Sequence, residues 1–338
     1  MRCLSSLLMV LLLAPTLSAQ SKAKAENVPE IAYDSVTNFL KLPPDLYLGE
    51  GIGVATNSKG HVFVYTRSGD TRLFEFDQNG TYVREIGAGL YGFEFAHAVR
   101  VDRDDNIWAV DEGSNMIIKF NPEGRVVMVL GRRPEMVDGL TAGGPPLEPQ
   151  PYVFNRPTDV GWDAAGNIFI TDGYGNSRVV KFDKNGRFIK SAGTRGSQQG
   201  QLNLPHTMAM DAQGNVYVGD RSNNRVQVFD NDLNFKAIYD KVGSPWAVCV
   251  SPGPHQYLYV SNSLPDNGLS QYRDITGEIY KMELDGTIVG KFGKAGKQLK
   301  EFSTVHEIDC RNPNELFVAE ITAFRVQKII LHPERKQP

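Results

Sequence analysis

The chain has 338 residues, with 36 Lys and Arg against 39 Asp and Glu, a formal net charge of −3, and 33 glycines. The basic residues are scattered rather than gathered into a stripe that could track phosphates, which disfavours nucleic acid as a partner. Abundant glycine with almost no helical periodicity points to an all-β chain with many turns; the length would allow two domains, but repeat proteins routinely break that rule.

In chain order, the first segment reads as a leader. Arg2 gives a short positive start, Leu4 to Leu13 is almost wholly apolar, and Leu17-Ser18-Ala19 before Gln20 fits a small-residue cleavage site, so residues 1–19 are expected to be a signal peptide. The apolar run is too short to span a bilayer and no second one follows, so a soluble, secreted or periplasmic protein with no stable membrane anchor is expected. Residues 20–45 are read as an N-terminal segment, in which Glu30 to Leu42 can supply a ring-closing strand. Two cysteines remain in the mature chain, Cys249 and Cys310, following corresponding strands of neighbouring repeats. A disulfide and a pair of buried free thiols are both compatible with that placement.

From residue 46 to residue 332 one pattern recurs: an apolar strand, a D-x-x-G-N type turn, a second apolar strand ending in an acid, a polar turn, and a third strand. It begins weakly at Gly51, with Gly60-His61-Val62-Phe63-Val64. It is clear in Val99 to Asp102, Asn106 to Asp111 and Met116 to Phe120. Further copies run through Asp159 to Phe182 and Met208 to Phe229, with weaker ones at Trp246 and His306. Turns such as Phe76-Asp77-Gln78-Asn79-Gly80 and Phe182-Asp183-Lys184-Asn185-Gly186 lead into a fourth strand. In them Asn and Asp bond their own backbone and Gly accepts the positive φ of the reversal. Each unit is thus a four-stranded antiparallel meander of about 40 to 60 residues, and six in a row make a six-bladed β-propeller the expected fold, ahead of an open β-solenoid. Two insertions, Gly131 to Asn155 and Pro265 to Ile275, break the period and are expected on the faces. Residues 333–338 are left as a C-terminal tail.

Aligning the units by their first turn puts Ile52, His97, Thr158, His206, Trp246 and His306 at one position. Histidine holds units two, four and six, and the chain has 6 histidines in all, so His61, His255 and His332 are left as surface residues. In a closed ring alternate units stand about 120° apart, so three imidazoles converge on the axis. Such a tripod suits Zn²⁺ and leaves a fourth position open, as catalytic zinc requires. The competing reading is three ordinary packed histidines. The aligned position that follows the acidic end of the second strand holds Arg67 in unit one, after Thr66, and Arg221 in unit four, after Asp220, while unit three has Asp172-Gly173-Tyr174-Gly175-Asn176-Ser177-Arg178. Two guanidiniums and a phenol beside a metal fit a small anionic substrate, and the cations should lower the Tyr174 pKa toward a general base. Alternatively Arg221 and Arg178 pair with the repeat acids and Tyr174 merely packs.

Through Arg156-Pro157-Thr158-Asp159-Val160, Asp172 to Arg178, Leu204-Pro205-His206 and Asp220-Arg221, the chain resembles the NHL-repeat propeller of peptidyl-α-hydroxyglycine α-amidating lyase, from about Gly51 to Ile330. The resemblance implies zinc on His97, His206 and His306, a catalytic Tyr174, and active-site arginines Arg67 and Arg221. It also implies calcium deeper in the channel, on the carbonyls of Val54 and Val99 and on Glu307, where the family has aspartate. Gly175 and Asn155 stand where some members place a disulfide, so the Tyr174 loop must be held otherwise. These residues include no counterpart of the family's copper monooxygenase domain, so the hydroxylated substrate is expected from elsewhere. The implied reaction cleaves an N-acyl or peptidyl α-hydroxyglycine into an amide and glyoxylate. A non-catalytic propeller that binds a protein or glycan, and another metal-dependent propeller lyase, remain the alternatives.

Overall fold

The computed structural model describes residues 23–133, 149–264 and 276–334; residues 1–22, with the expected leader, residues 134–148 and 265–275 of the two insertions, and residues 335–338 lie outside them. The described chain is all-β, six four-stranded antiparallel sheets and one 3-10 turn, Arg221–Asn223, arranged as a six-bladed β-propeller. Blade one comprises Glu50–Thr56, Val62–Ser68, Asp70–Phe76 and Tyr82–Ile86, counted outward from the axis. Blades two to five begin with the inner strands Ala96–Val101, Asp159–Trp162, Pro205–Met210 and Pro245–Val250. Blade six takes Val305–Asn312, Glu315–Glu320 and Arg325–His332 from the end of the chain and its fourth strand, Ala32–Val36, from the start. Ala32 lies opposite His332 and Val36 opposite Lys328, so backbone hydrogen bonds close the ring.

Burial follows from where each strand lies. Second strands such as Ile107–Asp111 and Val216–Asp220 are buried throughout, because neighbouring blades cover both faces. Outer strands such as Phe188–Ala192 alternate with solvent. Fully buried aromatics, among them Phe63, Phe74, Phe120, Phe169, Phe182 and Phe292, fill the core. The repeat aspartates make the turns: Asp102 Oδ1 accepts the N–H groups of Asp104 and Asn106, each at 3.0 Å, and Asp163 and Asp211 do the same in their own blades.

A second recurring pair braces the opposite end of the blades. Arg178 meets Asp172 at 2.9 Å, Arg225 meets Asp220 at 2.7 Å and Arg325 meets Glu320 at 2.5 Å. These guanidiniums also donate to loop carbonyls, as Arg225 does to Ser197, Gln198 and Gln201. Arg178 is therefore structural, as the plainer reading held. Cys249 and Cys310, on the inner strands of blades five and six, are disulfide-bonded with their Cα atoms 6.1 Å apart, which selects one of the two readings left open. Among the described residues no helix is long and apolar enough to cross a membrane.

Candidate functional site

The aligned inner position is special in the backbone before it is special in chemistry. The ladder between first and second strands slips at Ile52, His97, His206 and His306, and across Trp246 in blade five. Such a bulge leaves its extra residue unpaired and re-aims the side chain, here toward the axis. Thr158, just before the inner strand of blade three, completes the set of six.

His97, His206 and His306 meet there. Their ring centroids lie 4.6 to 4.7 Å apart, candidate ligand atoms fall within 4.8 Å of one another, and exposures are 1, 1 and 4%. His97 Nδ1 donates to the Thr158 carbonyl at 2.7 Å, His206 Nδ1 to that of Trp246 at 2.7 Å, and His306 Nδ1 to that of Ile52 at 2.9 Å. Each histidine is thus oriented by the same position of the next blade. With the proton fixed on Nδ1, the Nε2 lone pairs are left to converge, the usual support of a metal-bound imidazole. The Nε2 atoms of His97 and His206 are buried without a hydrogen-bond partner. Burial holds all three rings well below the ordinary histidine range, so they are neutral and ready as ligands. Orphaned buried nitrogens in a neutral three-imidazole set fit a zinc-like ion. His61, His255 and His332 lie elsewhere, paired with Glu75, Glu283 and Asp34.

Tyr174 stands over this layer, its ring 5.6 Å from His97 and 6.1 Å from His206. Arg221 has no repeat acid; its guanidinium lies 4.1 Å from the Trp246 ring centre and 5.7 Å from that of Tyr174, with Nη1 3.5 Å from the phenol oxygen. Its Nε is buried without a partner. Arg67 is anchored differently, by Glu50 at 2.8 Å, the Ala96 carbonyl at 3.2 Å and the Phe95 ring. The cations do not lower the Tyr174 pKa as expected. Burial pushes the phenol up, outweighing Arg221, Arg67 and Arg156, and Glu112 adds to the rise.

Glu112 and Arg156 escaped the sequence reading. Glu112 is 2% exposed and reaches within 4.0 Å of His97 Nε2, and burial raises its pKa. Arg156 binds it through Nε at 2.7 Å and also lies over the Tyr174 ring, 4.4 Å from its centre. The signal was present, since Glu112 follows Asp111 as Arg221 follows Asp220. The Tyr174 loop is held by its backbone: Gly175 N–H donates to the Asn155 carbonyl at 3.0 Å and Asn155 N–H to Asp172 at 2.8 Å.

Val54, Val99 and Glu307 also come together, with a cation of the chain itself beside them. Glu307 Oε2 accepts the N–H groups of Val54 at 2.9 Å and Val99 at 3.2 Å, and Oε1 lies 2.9 Å from Arg100 Nε. Oε2 is thus taken up by two amides, and Oε1, buried without a hydrogen bond, already faces the Arg100 cation, so a calcium ion here would have to share the carboxylate with a guanidinium.

Residues 202–229 match the NHL repeat family model. The chain is 32% identical over 217 residues to a probable peptidyl-alpha-hydroxyglycine alpha-amidating lyase of Caenorhabditis elegans, covering 56% of this chain and 58% of that protein. It is 30% identical over 287 residues to peptidyl-glycine alpha-amidating monooxygenase B of Xenopus laevis, covering 80% of this chain and 31% of that one. The chain therefore spans less than two thirds of the length of either relative. A solved streptogramin B lyase superposes with a TM-score of 0.55 at 16% identity, covering 89% of this chain and 98% of that one, a likeness of fold alone. The chain is a six-bladed β-propeller with an NHL repeat match in its fourth blade, and it is similar in sequence to peptidyl-α-hydroxyglycine α-amidating lyases.

Proposed function

We propose that the chain is a secreted, zinc-dependent lyase that cleaves an N-acyl or peptidyl α-hydroxyglycine into the corresponding amide and glyoxylate. The observation that carries this reading is the convergence of the His97, His206 and His306 Nε2 atoms directly beneath Tyr174 and Arg221. A zinc ion held by the three histidines would supply Lewis acidity toward the substrate's α-oxygen or carboxylate and positive charge beside Tyr174.

The chain's own residues do the rest. Arg221, buried between two aromatic faces and with no acid of its own, would bind the glycine carboxylate through its planar fork. Tyr174 would take the α-hydroxyl proton at its phenol oxygen. The O–H electron pair becomes the carbonyl of glyoxylate, the C–N bond breaks, and the amide nitrogen takes up a proton. Burial opposes ionisation of the phenol, so Arg221, Arg67 and the bound ion would favour phenolate in its place. Arg156 would shield the outer face of the ring, and Glu112 would hold Arg156. The leader read in residues 1–19 agrees with work outside the cytoplasm, on small hydroxylated amides or peptides.

The test is glyoxylate release from α-hydroxyhippurate by purified, zinc-loaded protein. Turnover that disappears on chelation and returns with zinc supports the assignment. No release from the metal-loaded protein, or undiminished release by His206→Ala, would overturn it in favour of a propeller that only binds.

A further inference from the structure

Beneath the histidine layer the axis is filled by an arginine. Arg100, three residues after His97, points inward from blade two with its side chain 14% exposed. Its Nε and Nη2 grip both oxygens of Asp159, at 2.9 and 2.6 Å, and Nη1 donates to the Ile308 carbonyl at 3.3 Å. Nε also lies 2.9 Å from Glu307 Oε1. The two carboxylates it joins gather the other blades. Glu307 accepts the amides of Val54 in blade one and Val99 in blade two. Asp159 Oδ2 accepts the Thr207 hydroxyl and the Met208 amide of blade four, each at 2.9 Å. Thr207 Oγ1 in turn accepts the Val248 amide of blade five at 3.4 Å. Six blades are thereby tied to one charged cluster. At Gly53 a Cβ would stand 2.7 Å from Glu307 Oε2 and 2.6 Å from the Val99 nitrogen, so even the neighbouring glycine leaves that carboxylate room.

We propose that Arg100 is the resident cation of this axis, and that it does by covalent attachment what a bound calcium ion would otherwise do. Two buried carboxylates need positive charge and hydrogen-bond donors close by. A guanidinium supplies both in a planar fork that matches Asp159. A divalent ion entering the same cluster would have to displace the guanidinium or share a buried space with it, and like charges in a low-dielectric interior repel strongly. The strand ends that carry His97 and His306 are set by Arg100 and Glu307, so the tripod keeps its shape without a second metal. The inference does not depend on the lyase reading, because it concerns what holds the channel rather than what reacts in it.

Elemental analysis of protein purified without chelator, and thermal unfolding with and without millimolar CaCl₂, test it. The expected result is calcium well below one ion per chain, with a wild-type Tm that CaCl₂ leaves unchanged to within about 1 °C. Arg100→Ser should lower Tm by roughly 5–10 °C, as breaking a buried pair does, and Arg100→Lys, which keeps the charge but not the fork, should lose less. Stoichiometric calcium in the wild type, a calcium-dependent wild-type Tm, or an Arg100→Ser protein as stable as the wild type would overturn the proposal. If Arg100→Ser does not fold, the wild-type calcium content and calcium titration decide alone.

Discussion

His97 Nδ1 donates to the carbonyl of Thr158 at 2.7 Å, and those two residues occupy the same position in adjacent blades. The relation repeats from His206 to Trp246 and from His306 to Ile52, so three blades provide the imidazoles and the three between them orient the rings. A ring of six makes this possible only if the histidines alternate.

Metal binding should accordingly depend on the alternating set and on no other histidine. His97→Ala, His206→Ala and His306→Ala should each weaken zinc binding by more than about 100-fold, beyond the loss typical of disturbing an outer partner of a ligand. His61→Ala and His255→Ala should bind zinc as the wild type does, since their rings are engaged with Glu75 and Glu283. Competition with a chromogenic chelator measures both classes, and equal losses in the two would contradict the tripod.

The same three imidazoles should make the metal-free protein sensitive to acid. Their folded pKa values are depressed by burial, so their contribution to stability is fully present above the unfolded value of 6.5 and declines as pH falls toward the folded values. Each unit of pH below 6.5 should cost about 1.4 kcal/mol per histidine until the folded pKa is reached. Buried carboxyls whose pKa is raised by burial, such as Asp309, act in the opposite direction. The measurement is therefore a difference: urea midpoints of the wild-type apoprotein and of a variant with all three histidines changed to Gln, at pH 7.5, 6.5 and 5.5. The wild type should lose ground to the variant on acidification; parallel curves would show that the rings are not buried neutral bases.

Tyr174 and Arg221 should separate chemistry from binding. Tyr174→Phe removes the oxygen and leaves the packing against His97 and His206, so kcat should fall by about 100-fold or more with zinc content unchanged. Arg221→Lys keeps a charge but loses the planar contact with Trp246 and Tyr174, and a raised KM is expected to be its main effect. Steady-state kinetics on α-hydroxyhippurate would reveal the split, and a Tyr174→Phe enzyme with wild-type kcat removes the phenol from the mechanism.

Reduction of Cys249–Cys310 should loosen the joint between blades five and six. The bond spans 61 residues, for which loop-closure entropy predicts a loss of about 4 kcal/mol, with native strain and residual unfolded structure able to reduce it. Denaturant unfolding of the Cys249→Ser/Cys310→Ser variant checks this. Zinc affinity should be retained, because no imidazole hydrogen bond involves either cysteine.

The sequence by itself determined the ring and the place of the metal. Strand and turn chemistry is local: Asp102, Asp163 and Asp211 write their own turns, and the spacing of His97, His206 and His306 follows once the blades are counted. Tertiary structure decided whatever depends on one blade's side chain meeting another's. The cysteines could be placed in neighbouring blades but not joined, and Arg67 and Arg221 occupied matching positions yet only Arg67 found an acid, Glu50. The Tyr174 pKa was misjudged because sequence exposes nearby charge but not depth, and burial proved the larger influence. Arg100 was unremarkable as the residue after Val99, since nothing along the chain says that Asp159 and Glu307, 59 and 207 residues away, close around it. Periodicity survives in one dimension, whereas charge compensation at an axis exists only after the ring has closed.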